Sequence, residues 1–160
     1  MGDRLKAAFP HDLHRRVEDP LFDEAISMSR QTLETVYDAF GRGDMETAAA
    51  MYADDIDWRV NGPSPAAGTY LGKDAVFGFF ERMTTQYEGT LRVEVTAMAA
   101  DERHGFVRVR ESARRPDAVT YTGVHAWGFK DGRCSRFESY YDDAYYDFRR
   151  ARGESAPADA

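Results

Sequence analysis

Two side chains able to move protons stand near the end of the sequence, His125 and Glu138. His125 lies in a β-rich run with Tyr121, Trp127 and Phe129 on its side of the alternation, so an inward-facing strand would aim the imidazole into an aromatic pocket. An imidazole there can titrate near neutrality and shuttle a proton; the plainer reading is a core or sheet-surface histidine satisfied by a neighbour. Glu138 is the only carboxylate of the following strand, and a tight turn at Lys130-Asp131-Gly132-Arg133 brings that strand beside His125. A paired acid and base with separable pKa values would suit internal ring closure or isomerisation. Parity opposes part of this arrangement. Phe137, Ser139 and Tyr141 share one face and Glu138 takes the other, unless a bulge resets the alternation. Ser139 and Tyr141 are the alternative polar groups.

Trp58 and Val60 share the inward face of an earlier strand, with Arg59 turned the opposite way. Trp58 could stack on a substrate ring or cover a cation, or serve simply as core. Tyr52, Tyr70 and Phe77 are wall or mouth candidates with the same two readings. Other patterns are weaker. His11-x-x-His14 has metal-ligand spacing but no nearby third ligand, so no metal is expected. Asp54, Asp55 and Asp57 follow a helix and are most simply solvated or capping, and Gly68-x-x-x-Gly72-Lys73 lacks the full phosphate-loop pattern. Arg108 and Arg110 fit the polar outer face of a sheet.

These groups need a frame, and 160 residues suffice for one domain; a chain of this size buries roughly 68–70% of its unfolded surface. With 21 Lys and Arg against 28 Asp and Glu, the net charge is −7, which disfavours nucleic acid and anionic membrane surfaces as partners. The lone cysteine, Cys134, excludes an intrachain disulfide. No signal pattern opens the sequence, and no apolar stretch approaches the ~20 residues of a membrane span, so a cytoplasmic location is expected.

Residues 1–23 lack a sustained period and are read as an N-terminal extension; residues 24–152 form the domain and 153–160 a flexible tail. From Asp23, apolar residues at helical spacing run to Phe40, with Gly41 and Gly43 as the stop. Asp44 caps a second short helix, Ile56, Trp58 and Val60 alternate as a strand, and Gly72-Lys73-Asp74 opens a third helix. Four consecutive strands follow, over about 91–97, 107–110, 120–129 and 134–141, with a short terminal helix expected over 142–152. Three helices on one face of a curled antiparallel sheet make an α+β fold, a cone around an apolar pocket.

The segments Gly43-Asp44, Met51-Tyr52-Ala53-Asp54-Asp55, Trp58-Arg59-Val60-Asn61-Gly62, Gly72-Lys73-Asp74-Ala75-Val76 and Phe129-Lys130-Asp131-Gly132-Arg133 carry a family likeness through their order and spacing. The chain resembles the nuclear transport factor 2-like proteins, and within them the SnoaL-like group, over about residues 30–145. The resemblance implies the cone-shaped barrel. It also implies a range of functions: polyketide cyclases, ketosteroid isomerases, epoxide hydrolases, dehydratases and non-catalytic ligand-binding or assembly domains.

For ketosteroid isomerase the resemblance places Val60 at the base, Val36 at the tyrosine, with Tyr37 adjacent, and His125 at the acid. For epoxide hydrolase it places Ser139 at the catalytic aspartate. Both defined mechanisms lose essential groups. What remains is a cofactor-independent cyclase or isomerase of a hydrophobic, oxygenated, polyketide- or terpenoid-like metabolite, with His125 and Glu138 as catalytic candidates. Trp58, Val60, Tyr52, Tyr70, Phe77, Tyr121, Trp127, Ser139 and Tyr141 would then bind substrate. The alternatives are a non-catalytic binding or dimerising domain and an epoxide hydrolase or dehydratase-type lyase. The outer sheet face suits a back-to-back homodimer, as is common among such relatives, or a monomer.

Overall fold

A computed structural model describes residues 20–62 and 66–142. Helix α1 (Pro20–Arg42) begins three residues before the Asp23 expected from periodicity. Proline suits a helix's first turn, where its missing N–H costs no hydrogen bond. Gly43 ends the helix with φ +71°, and its N–H donates to the Phe40 carbonyl at 3.1 Å. Helix α2 (Met45–Met51) starts at Asp44, whose carboxylate accepts from the Thr47 amide at 3.0 Å and from its hydroxyl at 2.7 Å. Those bonds also hold the Asp44 carboxyl below its ordinary pKa.

Strand β1 (Tyr52–Val60) is followed by β2 (Gly68–Leu71), α3 (Lys73–Gln86), and then β3 (Arg92–Ala100), β4 (His104–Ala113), β5 (Val119–Lys130) and β6 (Arg133–Tyr141). The strand β2 falls in what the Gly, Pro and Ser content marks as loop. With only four residues it lacks enough alternation to stand out, and it forms by pairing with Asp57–Val60. Asp131 and Gly132 both adopt positive φ in the β5–β6 turn, the geometry the Asp-Gly pair favours. The expected helix over 142–152, the tail and most of the extension, with His11 and His14, lie outside the described residues.

Among the described residues the sheet order is β2-β1-β6-β5-β4-β3, with β2 and β3 at its two edges, so the cone is an open curled sheet. It is also mixed. The expectation of an antiparallel sheet fails at β1 and β6, which pair in parallel, Trp58 opposite Phe137 and Val60 opposite Ser139. The long connection between them leaves either direction available to β1, and local patterning does not choose. Register shifts between Tyr52 and Asp57, between Val95 and Ala97, and between Gly128 and Phe129 bend the sheet.

The concave face holds the core. Val107 and Val109 from β4, Trp127 from β5, Phe137 from β6 and Ile56 and Trp58 from β1 meet Leu33 and Val36 of α1 and Val76, Phe79 and Phe80 of α3. The opposite face carries Arg108 and Arg110, as expected, together with exposed Phe106, Val124 and Tyr140. Among the described residues no helix is long and apolar enough to cross a membrane.

Candidate functional site

Between the helices and the concave face lies a cavity of about 90 Å³ whose walls are mostly aromatic and aliphatic. Of the candidates from the sequence, Tyr52, Trp58, Val60, Tyr121, His125, Trp127 and Tyr141 line it. Trp58 stacks on Phe137 with ring centroids 3.6 Å apart and planes 16° from parallel, and Trp127 meets Trp58 edge-on at 5.7 Å. Burial holds the Tyr52 hydroxyl in its neutral form by pushing its pKa up.

The strongest polar feature is an acid that the sequence reasoning passed over. Glu111 on β4 is buried, and its Oε1 lies 3.2 Å from His125 Nε2, with both side chains more than nine-tenths buried. Tyr121 donates its hydroxyl to Glu111 Oε2 at 2.8 Å, and Tyr141 donates to Oε1 at 3.3 Å. The His125 Nε2 to Glu111 approach is close without the alignment of a hydrogen bond, so this nitrogen is not fully committed to the carboxylate. On its other side, His125 Nδ1 meets the Tyr37 hydroxyl at 2.7 Å, and Trp127 Nε1 donates to that same hydroxyl at 3.1 Å. Burial raises the Tyr37 pKa well above the ordinary phenol value, so the group stays protonated. A continuous polar chain therefore runs from Trp127 through Tyr37 and His125 to Glu111 and its two tyrosines.

The signal for Glu111 was present in the sequence. The alternation that puts Val107 and Val109 inward continues to 111, so a carboxylate sits on an apolar face. Arg108 and Arg110 alternate with it on the outer face. Tyr37 stands next to Val36 on α1, where the helix's width brings both to the cavity.

Glu138 requires correction. Parity decides its face: Glu138 points to the convex side, where Arg136 and the Tyr140 hydroxyl hold it. The Tyr140 hydrogen bond, then Arg136, lower its pKa from the ordinary carboxylate value. It cannot serve the cavity from there. Ser139 does face the concave side and is fully buried opposite His125, but it lies behind the lining. Tyr70 stands outside the lining too, donating to the Ala66 carbonyl at 2.8 Å and packing on Phe79. Phe77 packs against Tyr52 and Phe80 away from the cavity. The acidic run has ordinary partners: Lys73 bridges to Asp54 at 2.8 Å and lowers its pKa, and Arg59 pairs with Asp57.

Comparison with known proteins agrees with this frame. A model of the SnoaL-like domain matches residues 33–137. Among solved structures, Bal32a from a soil-derived mobile gene cassette is 24% identical with a TM-score of 0.71, covering 76% of this chain and 94% of that one. An NTF2-like protein from Burkholderia pseudomallei is 26% identical with a TM-score of 0.68, covering 77% and 95% respectively. TerC, co-crystallised with polyporic acid, is 21% identical with a TM-score of 0.67, covering 76% and 96%. No curated protein matches the chain.

Proposed function

The chain belongs to the SnoaL-like family, and from that premise we propose that it is a cofactor-independent acid/base enzyme, a cyclase or isomerase, acting on a small, apolar, oxygenated metabolite. The observation that carries this reading is the buried Glu111–His125 pair at 3.2 Å in a mostly apolar cavity. A buried carboxylate and imidazole have no packing advantage over apolar residues, and such pairs concentrate where chemistry is done.

In this reading Glu111 is the proton carrier. Its carboxylate removes a proton from a carbon beside a carbonyl group, and the C–H electron pair becomes an enolate. The His125 Nε2–H donates a hydrogen bond to the oxygen on which charge develops. In a cyclase the enolate carbon then bonds to a second carbonyl carbon, and the new alkoxide takes the proton back from Glu111. In an isomerase the proton returns to a different carbon. Either way the substrate keeps all its atoms and the enzyme ends as it began. Tyr121 and Tyr141 hold the carboxylate in place, and the aromatic walls exclude water and orient the guest. TerC's co-crystallisation with polyporic acid supports an organic guest for this fold.

Proton abstraction can be measured before the product is known. Candidate diketones and enones incubated with the protein in deuterated water should exchange their acidic C–H faster than in buffer, as followed by NMR. Glu111→Gln should slow that exchange by about 10²–10⁴-fold. Exchange at the wild-type rate in Glu111→Gln would reject the assignment. Tight binding of such compounds with no exchange by the wild type would favour the carrier reading instead.

A further inference from the structure

We infer that Trp127 and Tyr37 are positioning residues that fix the tautomer of His125, keeping its proton on Nε2, the nitrogen beside Glu111. An indole N–H can only donate, so the 3.1 Å bond between Trp127 Nε1 and the Tyr37 oxygen uses a lone pair of that oxygen. The phenol has one hydrogen, and burial keeps it there. Among the described residues the only acceptor within hydrogen-bond reach of it is His125 Nδ1, at 2.7 Å. Nδ1 must therefore present its lone pair. A neutral imidazole then carries its single proton on Nε2.

The opposite tautomer would direct two donors, the Trp127 N–H and an Nδ1–H, at one phenol oxygen and leave the phenol hydrogen without an acceptor. A buried polar hydrogen without a partner is costly. Trp127 thus does more than line the cavity: by occupying one side of the Tyr37 oxygen, it decides which way the hydroxyl points. Tyr37, on α1, relays that choice from Trp127 to His125, both on β5. The inference takes its catalytic meaning from the reading of Glu111 and His125 as the reacting pair, but the tautomer itself belongs to the resting protein.

The test is a two-bond 1H–15N correlation spectrum of the full chain labelled with 15N-histidine, recorded without substrate at mildly alkaline pH, with the His125→Gln spectrum assigning the ring. The expected pattern is a pyridine-like Nδ1 and a pyrrole-like Nε2 for His125; the reverse pattern overturns the inference. Tyr37→Phe removes only the hydroxyl and should move the Nδ1 resonance to that of a lone pair with no donor. An unmoved resonance would remove Tyr37 from the scheme. Trp127→Phe frees the phenol to accept, so its Nδ1 resonance should move toward the pyrrole-like position, and an unmoved one would overturn the role of Trp127. If Trp127→Phe does not fold, the wild type and Tyr37→Phe still decide. The expected tautomer with no proton exchange in any candidate compound would count against the enzyme reading alone, whereas exchange by a protein showing the reverse tautomer would sink the present inference alone.

Discussion

Gly123 and Tyr141 face each other across β5 and β6, and the tyrosine ring lies over the glycine so closely that a Cβ there would stand 2.6 Å from its Cδ1. The ring thereby lies over β5, meets Tyr121 of that strand edge-on at 5.2 Å and places its hydroxyl on Glu111 of β4. The Tyr140 carbonyl, 2.7 Å from the same Cβ position, is backbone and cannot swing aside. Gly123→Ala should therefore destabilise the protein by about 1–3 kcal/mol, the usual cost of overpacking, and push Tyr141 off the carboxylate. Urea unfolding measures the first effect. For the second, the exchange rate of Gly123→Ala should match that of Tyr141→Phe; a variant with wild-type stability and rate would show that the close approach has no role.

The two glutamates give a direct contrast. Glu111→Gln should abolish most catalysis while keeping the side chain's shape, whereas Glu138→Gln should leave turnover unchanged, because Glu138 serves only the convex face with Arg136 and Tyr140. The lowered Glu138 pKa makes a separate statement about stability. A carboxyl with a depressed folded pKa contributes stability above its unfolded pKa and loses it as pH falls through the folded value. Glu138→Gln should accordingly be less stable than wild type at neutral pH, with the gap closing on acidification. A gap that persisted at low pH would point to packing instead.

Most of the frame and part of the candidate site are legible in the sequence, for physical reasons. Asp44 as a helix cap, the Asp131-Gly132 turn and the alternation of Trp58 and Val60 are local signals, and the structure bears them out. The SnoaL-like resemblance holds as well. What escaped depends on distant contacts. The direction of β1 is set by its pairing with β6, some eighty residues on, and β2 exists only because β1 is there to pair with it. His125 could be found from its aromatic company. Its partner could not be chosen by type alone: Glu138 and Glu111 both stand on strands paired with β5, but parity turns Glu138 outward, while Glu111 shares the inward face.

Alkali should weaken the protein through its buried acids. Burial pushes the Cys134 thiol up to about 12 from its ordinary 9.0, and Tyr37 and Tyr52 are also raised. For such groups the unfolded chain loses its proton first, so the folded state binds more protons and stability falls as pH rises above the unfolded pKa. For the thiol this loss begins near pH 9 and approaches about 1.4 kcal/mol per pH unit. Melting temperatures of wild type and Cys134→Ala measured across that range should converge as pH increases. Parallel curves would show that the thiol ionises equally in both states. Alkylation of native Cys134 should likewise be slow and limited by unfolding.

Trp58 sets how much of the concave face a guest can use. It stacks on Phe137, meets Phe80 edge-on at 5.1 Å and contacts Trp127, so its ring fills space that the cavity would otherwise occupy. Trp58→Ala should cost about 3–5 kcal/mol, as expected for a large aromatic deleted from a core, and should enlarge the cavity on the side toward β1. Isothermal calorimetry with one-ring and two-ring phenols then separates two roles. If Trp58 limits guest size, the two-ring compound gains affinity in the variant relative to the one-ring compound, and Trp58→Leu, which keeps more of the packing, shows a smaller change in the same direction. If both compounds weaken together, Trp58 is a stacking surface for the guest and does not set its size.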